Sequence, residues 1–340
     1  MSAQQTLCRA GGAEARNCVS PEGENAPLRN TIGNRKRFGN LWNSKTAASD
    51  ARDLIRKHAT TRDAYLKVRW KIPLRALFDR FHLEAAAEFV RELGQVGAEA
   101  VGRPILLSAN AWVVEERHRV VAPHLTHIVC EAEFQAQKGT ADLSRALPDF
   151  EVGRSMGKPV VVCASGGDYA LVKATGAEDL VRFWIAVTYA HGQWFMVPHP
   201  KRQWCFTKEL GTHWYAAPAG AYAPLYRFIR TNARWFDGFE PTDAGGITVP
   251  ENVLCTVRRK GEKGPIVLHL VNRDYDAQAR RMRPAKDVSI KGLSTLANKG
   301  GRVRLLAYDA EPETVETSTE GGTTQIKVPE LRLWTLVVIE

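Results

Sequence analysis

The sequence is short of the residues that build metal centres and disulfide scaffolds. Six of its 340 residues are cysteines, and no two of them form a C-x-x-C pair. Nine histidines occur without an H-x-x-x-H pair. This spacing argues against a zinc finger, a disulfide-dense secreted domain and a helical zinc site. We therefore expect no metal and no cofactor, and cysteines that are buried structural thiols.

Long apolar runs and several well-known motifs are also missing. No stretch of 18 consecutive apolar residues occurs, and the N-terminus lacks the charged-then-apolar order of a signal peptide. The chain contains no G-x-S-x-G elbow, and the lone Gly-Gly pair at 166–167 has neither Walker nor dinucleotide-binding spacing. The sequence predicts a soluble chain with no membrane partner, cytoplasmic by default.

What is present is the composition of a globular protein with an uneven charge distribution. A hydrophobic content of 44% and a charged content of 25% exclude a collagen, a coiled coil and wholesale disorder. The net charge of +10 suggests a nucleic-acid partner until it is divided along the chain. Residues 1–75 carry 15 Lys/Arg against 6 Asp/Glu, whereas the remainder carries 32 against 31. The basic excess therefore belongs to the beginning of the chain.

That N-terminal segment, residues 1–70, is poor in aliphatic periodicity and rich in Asn, Arg, Ser and Thr. Such a composition buries too little apolar surface to offset chain entropy, so we expect it to be mostly irregular, with one short helix near 49–58. The run Arg35-Lys36-Arg37 admits a basic arm that binds nucleic acid. A short solvated run is the simpler interpretation.

After residue 70 the pattern changes to alternating helices and apolar strands. The spacing predicts a helix over 74–93 that Gly94 ends, and further helices over 177–189 and 224–236. Continuous apolar runs predict strands over 104–110, 125–134, 158–164 and 192–199. Because parallel strands need crossover connections and cover on both faces, this order predicts βα units with a parallel sheet over residues 71–243.

From about Gly246 the helical periodicity ends. Short apolar runs at 253–257, 266–271, 303–308 and 333–339 alternate with Gly, Asp and Lys turns. This rhythm predicts an antiparallel β-sandwich over residues 244–340.

These segments resemble a known class of enzyme. Two segments are similar in sequence to the all-β domain that follows the barrel in dextranase-like and amylase- or fucosidase-like enzymes. They are HLVNRDYD at 269–276 and the closing VPELRLWTLVVIE at 328–340. The chain thus resembles the C-terminal half of a TIM-barrel glycoside hydrolase. The resemblance implies an O-glycosyl hydrolase fold and an oligo- or polysaccharide substrate, and it is too general to name a substrate.

A complete barrel needs about 250 residues, whereas residues 70–240 supply about 170 and four strands. The resemblance therefore implies a partial (β/α) barrel, about strands five to eight, in a chain that is truncated or altered at its beginning. An open half-barrel exposes an edge at its first and at its last strand. We expect such edges to pair with another chain, as in a homo-oligomer.

The strand at 125–134 holds the best catalytic candidates. Alternation places His127, Val129, Glu131 and Glu133 on one face, with two carboxylates near the carboxyl end of the strand. Cleavage of a glycosidic bond uses one carboxylic acid as proton donor and a second carboxylate as nucleophile or base. Glu131 is the predicted acid/base and Glu133 its partner or a sugar-hydroxyl acceptor. The alternative is that the strand ends at Cys130 and both glutamates are solvated.

Five further residues are predicted to bind substrate. They are Asn110, Asp168, His199, Trp204 and Trp214. Asn110 ends the first strand and offers an amide donor and acceptor. Asp168 follows a Gly-Gly pair that we interpret as a flexible loop after a buried strand. His199 closes the last strand, and an aromatic cluster of Trp194, Trp204, Trp214 and Tyr215 suits the apolar faces of sugar rings. Turn-forming and core roles are the alternatives.

Three functions remain open from the sequence. The first is a hydrolase that acts on glycosidic bonds through Glu131. The second is a non-catalytic carbohydrate-binding or scaffolding protein that kept the aromatic residues and lost a carboxylate. The third, weaker hypothesis is nucleic-acid binding through the basic arm.

Overall fold

The computed structural model describes residues 64, 67, 73–111, 114–134, 136, 143–144, 146–197, 217–243, 246–293, 302–320 and 323–340. The irregular segment expected over residues 1–60, its helix near 49–58 and the basic run at 35–37 lie outside the described residues. The chain divides into two units between Val96 and Gly97. Of the helices in the described ranges, none is long and apolar enough to cross a membrane.

The first described helix, α1, spans Pro73–Val101. The prediction that Gly94 ends this helix is wrong. Gln95, Ala98 and Ala100 are good helix formers, and each of the two internal glycines, Gly94 and Gly97, costs only about 1 kcal/mol relative to alanine. The helix ends at Gly102, whose φ of 67° is easily reached only by a residue without a side chain.

All four predicted parallel strands are present. They are β1 (Ser108–Asn110), β2 (His127–Ala132), β3 (Val160–Ala164) and β4 (Trp194–Phe195). They form one sheet in the order of the sequence, β1-β2-β3-β4, and every neighbouring pair is parallel. Within the described residues this sheet is open and has four strands, with β1 and β4 at its edges. A closed barrel remains part of the resemblance only.

Helices follow these strands, and the first three of those after β1 were not predicted from the sequence. The helices after β1 are α2 (Glu116–Arg119), α3 (Ala146–Ser155), α4 (Gly166–Thr175), α5 (Glu178–Ala190) and α6 (Ala219–Thr231), with 3-10 turns at Ala122–His124 and Ala233–Trp235. The interpretation of Gly166-Gly167 as a flexible loop is wrong. Both glycines lie in the first turn of α4, because the Ser165 side chain caps that helix by accepting a hydrogen bond from Asp168 N.

The antiparallel part of the chain begins at β5 (Glu240–Pro241), which pairs with β6. The other strands are β6 (Val253–Arg259), β7 (Ile266–Asn272), β8 (Tyr275–Asp276), β9 (Arg281–Met282), β10 (Ala285–Lys291), β11 (Val303–Ala307), β12 (Glu313–Val315), β13 (Ser318–Glu320), β14 (Thr323–Leu331) and β15 (Trp334–Ile339). The four predicted strands of this region are all found, as β6, β7, β11 and β15.

Two antiparallel sheets enclose an apolar core. A six-stranded sheet has the order β12-β11-β15-β7-β6-β5, and a three-stranded sheet has the order β10-β14-β13. Leu268 and Leu270 of β7 share one core with Ile290 and Val328 of the smaller sheet. The predicted sandwich architecture of two packed antiparallel sheets is therefore present in the described residues.

The opposite face of the six-stranded sheet packs on the helical layer. Val267 and Val271 of β7 belong to the same core as Trp184 of α5, because successive strand residues point to opposite faces. A hydrogen bond from Thr256 Oγ1 to Ala190 O, 3.0 Å long, also joins β6 to the end of α5. The central strands β7 and β15 are thus buried on both faces, which explains why β7 is apolar along nearly its whole length.

Candidate functional site

The parallel sheet has one buried and one partly open face. On β2 the side chains alternate between buried Ile128, Cys130 and Ala132 and partly exposed His127, Val129 and Glu131. Residues in register on neighbouring parallel strands share a face. The registers therefore define an open face, made by Asn110, Val129, Glu131, Val161, Cys163 and Trp194. Apart from Cys163, all of these side chains are partly or fully exposed.

At the carboxyl ends of β1 and β2, Asn110 contacts Glu131. The Asn110 Nδ2 donates a hydrogen bond of 3.2 Å to Glu131 Oε1. Asn110 stands level with Val129, so its side chain reaches along the sheet to the glutamate two residues later on the neighbouring strand. Glu131 is held within β2, one residue before the strand ends at Ala132, and Glu133 is exposed just beyond that end. The strand therefore does not end at Cys130, as the alternative interpretation supposed.

Cys163 lies beside Glu131, since the two residues are in register on β3 and β2. Burial, together with the negative charge of Glu131, raises the pKa of the Cys163 thiol to about 12. The thiol is therefore protonated near neutral pH and is a poor nucleophile. Cys163 therefore contributes an apolar surface to the open face.

The second buried thiol, Cys130, lies on the opposite face of the sheet, under α3. Burial raises its pKa, and the neighbouring Asp149 carboxyl adds to that shift. Burial also raises the pKa of Asp149 itself, although the Val114 N–H and the Cys130 thiol partly oppose that effect. This pair is enclosed away from the open face, so it offers no group to a ligand there.

Asp168 is buried in the first turn of α4, with 1% of its surface exposed. Its Oδ2 accepts hydrogen bonds from Phe134 N at 2.9 Å and from Ser165 Oγ at 2.8 Å, and its Oδ1 accepts one from Ala136 N at 2.8 Å. The carboxylate thus ties α4 to the segment that leaves β2. This burial disfavours the direct contact with a sugar hydroxyl that we expected from the sequence.

The remaining predicted substrate residues, His199, Trp204 and Trp214, lie outside the described residues. Of the predicted aromatic cluster, Trp194 is described, and it is 50% exposed on the open face. Trp194 is in register with Val161 of β3, two strands away from Glu131. An indole ring on this face presents an apolar surface to a ligand that reaches the glutamate. In the described part of the chain, no group of three or more potential metal ligands comes together.

Comparisons with known proteins find partial likenesses to solved structures. The structures include a cycloisomaltooligosaccharide glucanotransferase from Paenibacillus sp. (18% identity, TM-score 0.37), the catalytic domain of xylanase C from Talaromyces cellulolyticus (14%, 0.36) and an α-L-fucosidase (13%, 0.36). The matches cover 46%, 76% and 74% of this chain, respectively.

The chain spans only 26%, 57% and 56% of the lengths of those three proteins. No protein-family model and no curated protein matches the sequence. With every one of these TM-scores below 0.5, the likenesses carry no argument about activity, which must rest on the residues themselves.

Proposed function

We propose that this chain is a glycoside hydrolase-like protein that acts on glycosidic bonds by carboxylate acid/base chemistry. The observation that supports the proposal best is the hydrogen bond from Asn110 to Glu131 at the carboxyl ends of two neighbouring parallel strands. This end of a parallel sheet is where α/β proteins place their ligands. A carboxylate that is oriented by an amide and lies on an exposed face has the two properties that proton transfer requires.

Glu131 is the proposed general acid/base. Glu131 Oε1 accepts the hydrogen bond from the Asn110 amide, which orients the carboxyl group that protonates the leaving glycosidic oxygen. In that step the acid O–H bond breaks, the leaving oxygen gains the proton, and the C–O bond to the leaving group breaks as a new bond forms at the anomeric carbon. The new bond is made either by the carboxylate of Glu133 or by a water molecule that gives a proton to Glu133. Glu131 is left as a carboxylate, which then takes a proton from water.

Glu133 is the proposed second carboxylate. Two residues along an extended backbone place the two α-carbons roughly 6.6 Å apart. Glycosidases separate their carboxyl groups by about 5–5.5 Å when they retain configuration and by about 6.5–9.5 Å when they invert it. Both values are within reach of two glutamates at this spacing, so the orientation of Glu133 would decide the outcome.

The experiment is a turnover assay on a panel of aryl glycosides with the full chain. We expect hydrolysis of at least one of them, and we expect Glu131→Gln to lower kcat by about 10²–10⁴-fold. The matched control is Glu151→Gln, which makes the same change at an exposed glutamate of α3. Equal turnover by Glu131→Gln and wild type would contradict the proposal, provided that both proteins melt at the same temperature.

A second candidate function is saccharide binding without catalysis, which the exposure of Trp194 on the open face favours. A sugar that binds the folded state would raise the melting temperature with no turnover. Replacing this half-exposed indole by Trp194→Ala should remove that increase with little effect on the protein alone, whereas Trp194→Phe should keep part of it. Turnover that is lost in Glu131→Gln would instead favour the hydrolase.

Pairing of two chains through β1 or β4 is also part of the proposal. Each of these strands has one parallel neighbour among the described residues, so each leaves backbone groups on its outer side. Sedimentation at several protein concentrations would test this. A monomer at every concentration would count against it.

Nucleic-acid binding stays a prediction about residues 1–70. Its test is the retention of RNA by the full chain, which should weaken as the salt concentration rises.

A further inference from the structure

The peptide groups on both sides of Glu133 are tied to the turn that begins α4. Ser165 N donates a hydrogen bond of 3.0 Å to Ala132 O, just before Glu133. Phe134 N, just after it, donates a hydrogen bond of 2.9 Å to Asp168 Oδ2. The backbone of Glu133 is therefore held from two directions while its side chain is exposed.

The group that holds this backbone is itself well anchored. The Asp168 carboxylate also accepts hydrogen bonds from Ala136 N and from Ser165 Oγ, both 2.8 Å long. In return, Ser165 Oγ accepts a hydrogen bond of 3.2 Å from Asp168 N. A carboxylate in the first turn of a helix is further stabilised by the helix dipole. Asp168 is thus a fixed point between α4 and the segment after β2.

Phe134, the residue after Glu133, is also held in place by the packing of its aromatic ring. Phe134 is fully buried and stacks on Trp184 of α5, with ring centroids 4.8 Å apart and planes inclined by 17°. The aromatic contact and the Asp168 bond therefore hold both the side chain and the N–H of Phe134. Any reorientation of the Glu133 backbone would have to break one of these two contacts.

We propose that Asp168 is a positioning residue that orients Glu133 toward Glu131, an inference that rests on the proposed function. A glutamate on a loose loop would sample many directions, whereas a fixed backbone restricts its carboxylate to the neighbourhood of the open face. Asp168 would thereby set the separation of the two carboxyl groups, and with it the stereochemical outcome of glycoside cleavage.

The first measurement is amide hydrogen exchange in the full chain. Asp168→Asn keeps the shape of the side chain but replaces one acceptor oxygen by an NH₂ donor, so Phe134 N or Ala136 N loses its partner. We expect exchange at one of these two amides to rise about tenfold. Unchanged exchange at both would overturn the proposal.

The matched control is Asp179→Asn. Asp179 also lies in the first turn of a helix, α5, and its Oδ2 accepts a hydrogen bond of 2.8 Å from Met282 N. The same chemical change there should raise exchange at Met282 and leave Phe134 and Ala136 as in the wild type. The control distinguishes the loss of the specific hydrogen bonds of Asp168 from a general loss of stability.

The second measurement is the set of NMR scalar couplings that report the χ1 rotamer of Glu133, which needs no substrate. A side chain held in one rotamer has unequal couplings to its two β-protons, whereas a side chain that samples several rotamers has averaged couplings. We expect averaged couplings in Asp168→Asn and unequal couplings in Asp179→Asn. Unchanged couplings in Asp168→Asn would overturn the positioning role even if exchange at Phe134 rises, because the loss of a purely structural bond raises exchange alone.

Turnover then distinguishes this inference from the proposed function. If the wild type hydrolyses a glycoside, Asp168→Asn should lower kcat about tenfold and change KM less. If the wild type hydrolyses none while the exchange rates and the Glu133 couplings respond as expected, the proposed function fails and the orientation of Glu133 by Asp168 stands.

Discussion

The guanidinium of Arg258 packs directly against Gly192. Gly192 has a φ of 76°, and a β-carbon built on it would meet Arg258 Nη1 at 2.6 Å. Arg258 is buried on β6 and donates a hydrogen bond to Phe239 O. The turn after α5 is therefore shaped around a buried cation of the six-stranded sheet.

Gly192→Ala should destabilise the protein more than a left-handed backbone alone explains. The matched control is Gly157→Ala, whose φ of 64° is similar and whose β-carbon would meet nothing within 4 Å. A left-handed conformation costs about 1–2 kcal/mol for a residue with a side chain. We expect that cost for Gly157→Ala and at least twice that cost for Gly192→Ala in urea unfolding. Equal losses would mean that Arg258 moves aside freely.

Asn272 at the end of β7 should be intolerant of a negative charge. Its fully buried Nδ2 donates to the carbonyls of Arg283, Leu331 and Arg332 at 2.6, 3.2 and 2.9 Å, and its Oδ1 accepts from Asp274 N at 2.9 Å. Asn272→Asp would aim a carboxylate at three carbonyl oxygens, so we expect a loss of more than about 3 kcal/mol.

The control for this change is Asn232→Asp, because the Asn232 Nδ2 donates to one carbonyl only, that of Phe228, and the residue is half-buried. We expect a loss below about 1 kcal/mol there. Urea unfolding of both variants at pH 7 provides the comparison. Similar losses at the two sites would show that the carbonyl cluster around Asn272 tolerates charge.

Acid should weaken the contact between α5 and the six-stranded sheet. His269 is fully buried and stacks on Trp334, with ring centroids 5.9 Å apart. Burial, with Arg258 and His191 nearby, lowers the pKa of His269 well below its ordinary value. Burial, with Arg258 and Arg154, lowers the pKa of His191 to about 4.

Both histidines stay neutral in the folded chain at a pH at which the unfolded chain binds protons. The free energy of unfolding should therefore be unaffected above pH 6.5 and should decrease as the pH falls from 6.5 toward 4. Each proton bound only by the unfolded chain costs about 1.4 kcal/mol per pH unit. Urea unfolding of His269→Leu should show a shallower decrease over this range. Equal slopes in the variant and the wild type would contradict the prediction.

Asn110→Ala should impair turnover without unfolding the protein. Asn110 is exposed on edge strand β1, so its truncation removes little packing, but it frees Glu131 Oε1 from its amide donor. We expect kcat/KM for a hydrolysed glycoside to fall about tenfold, the value of one lost hydrogen bond. Asn232→Ala is the control and should turn over substrate as the wild type does. An unchanged kcat/KM would mean that the amide does not orient the acid.

The order of secondary structure could be predicted because it depends on local patterns. Apolar runs such as 158–164 and 266–271 locate strands, since these segments must be buried whatever surrounds them. The end of α1 and the start of α4 could not be located in the same way. Gly94 and Gly166-Gly167 resemble helix ends and loops, and only the neighbouring contacts decide between those conformations.

The candidate site could likewise be predicted only in part. The alternation of β2 was enough to predict that Glu131 shares a face with Val129, and the structure agrees on their partial exposure. The role of Asp168 could not be predicted, because its partners Phe134 and Ala136 lie more than 30 residues earlier in the chain. Nothing in the sequence around residue 168 distinguishes a buried carboxylate that holds the backbone from an exposed carboxylate that binds substrate.

The sequence by itself determined the class of each segment of this protein, a βα region followed by antiparallel strands, and it marked Glu131 and Glu133 as the carboxylates of interest. Periodicity is enough for this because burial acts on each segment separately. Only the tertiary structure decided which side chains meet, as Asn110 meets Glu131, Asp168 meets Phe134 and Arg258 meets Gly192. Those pairs are joined by the register and packing of distant elements, which no local pattern encodes.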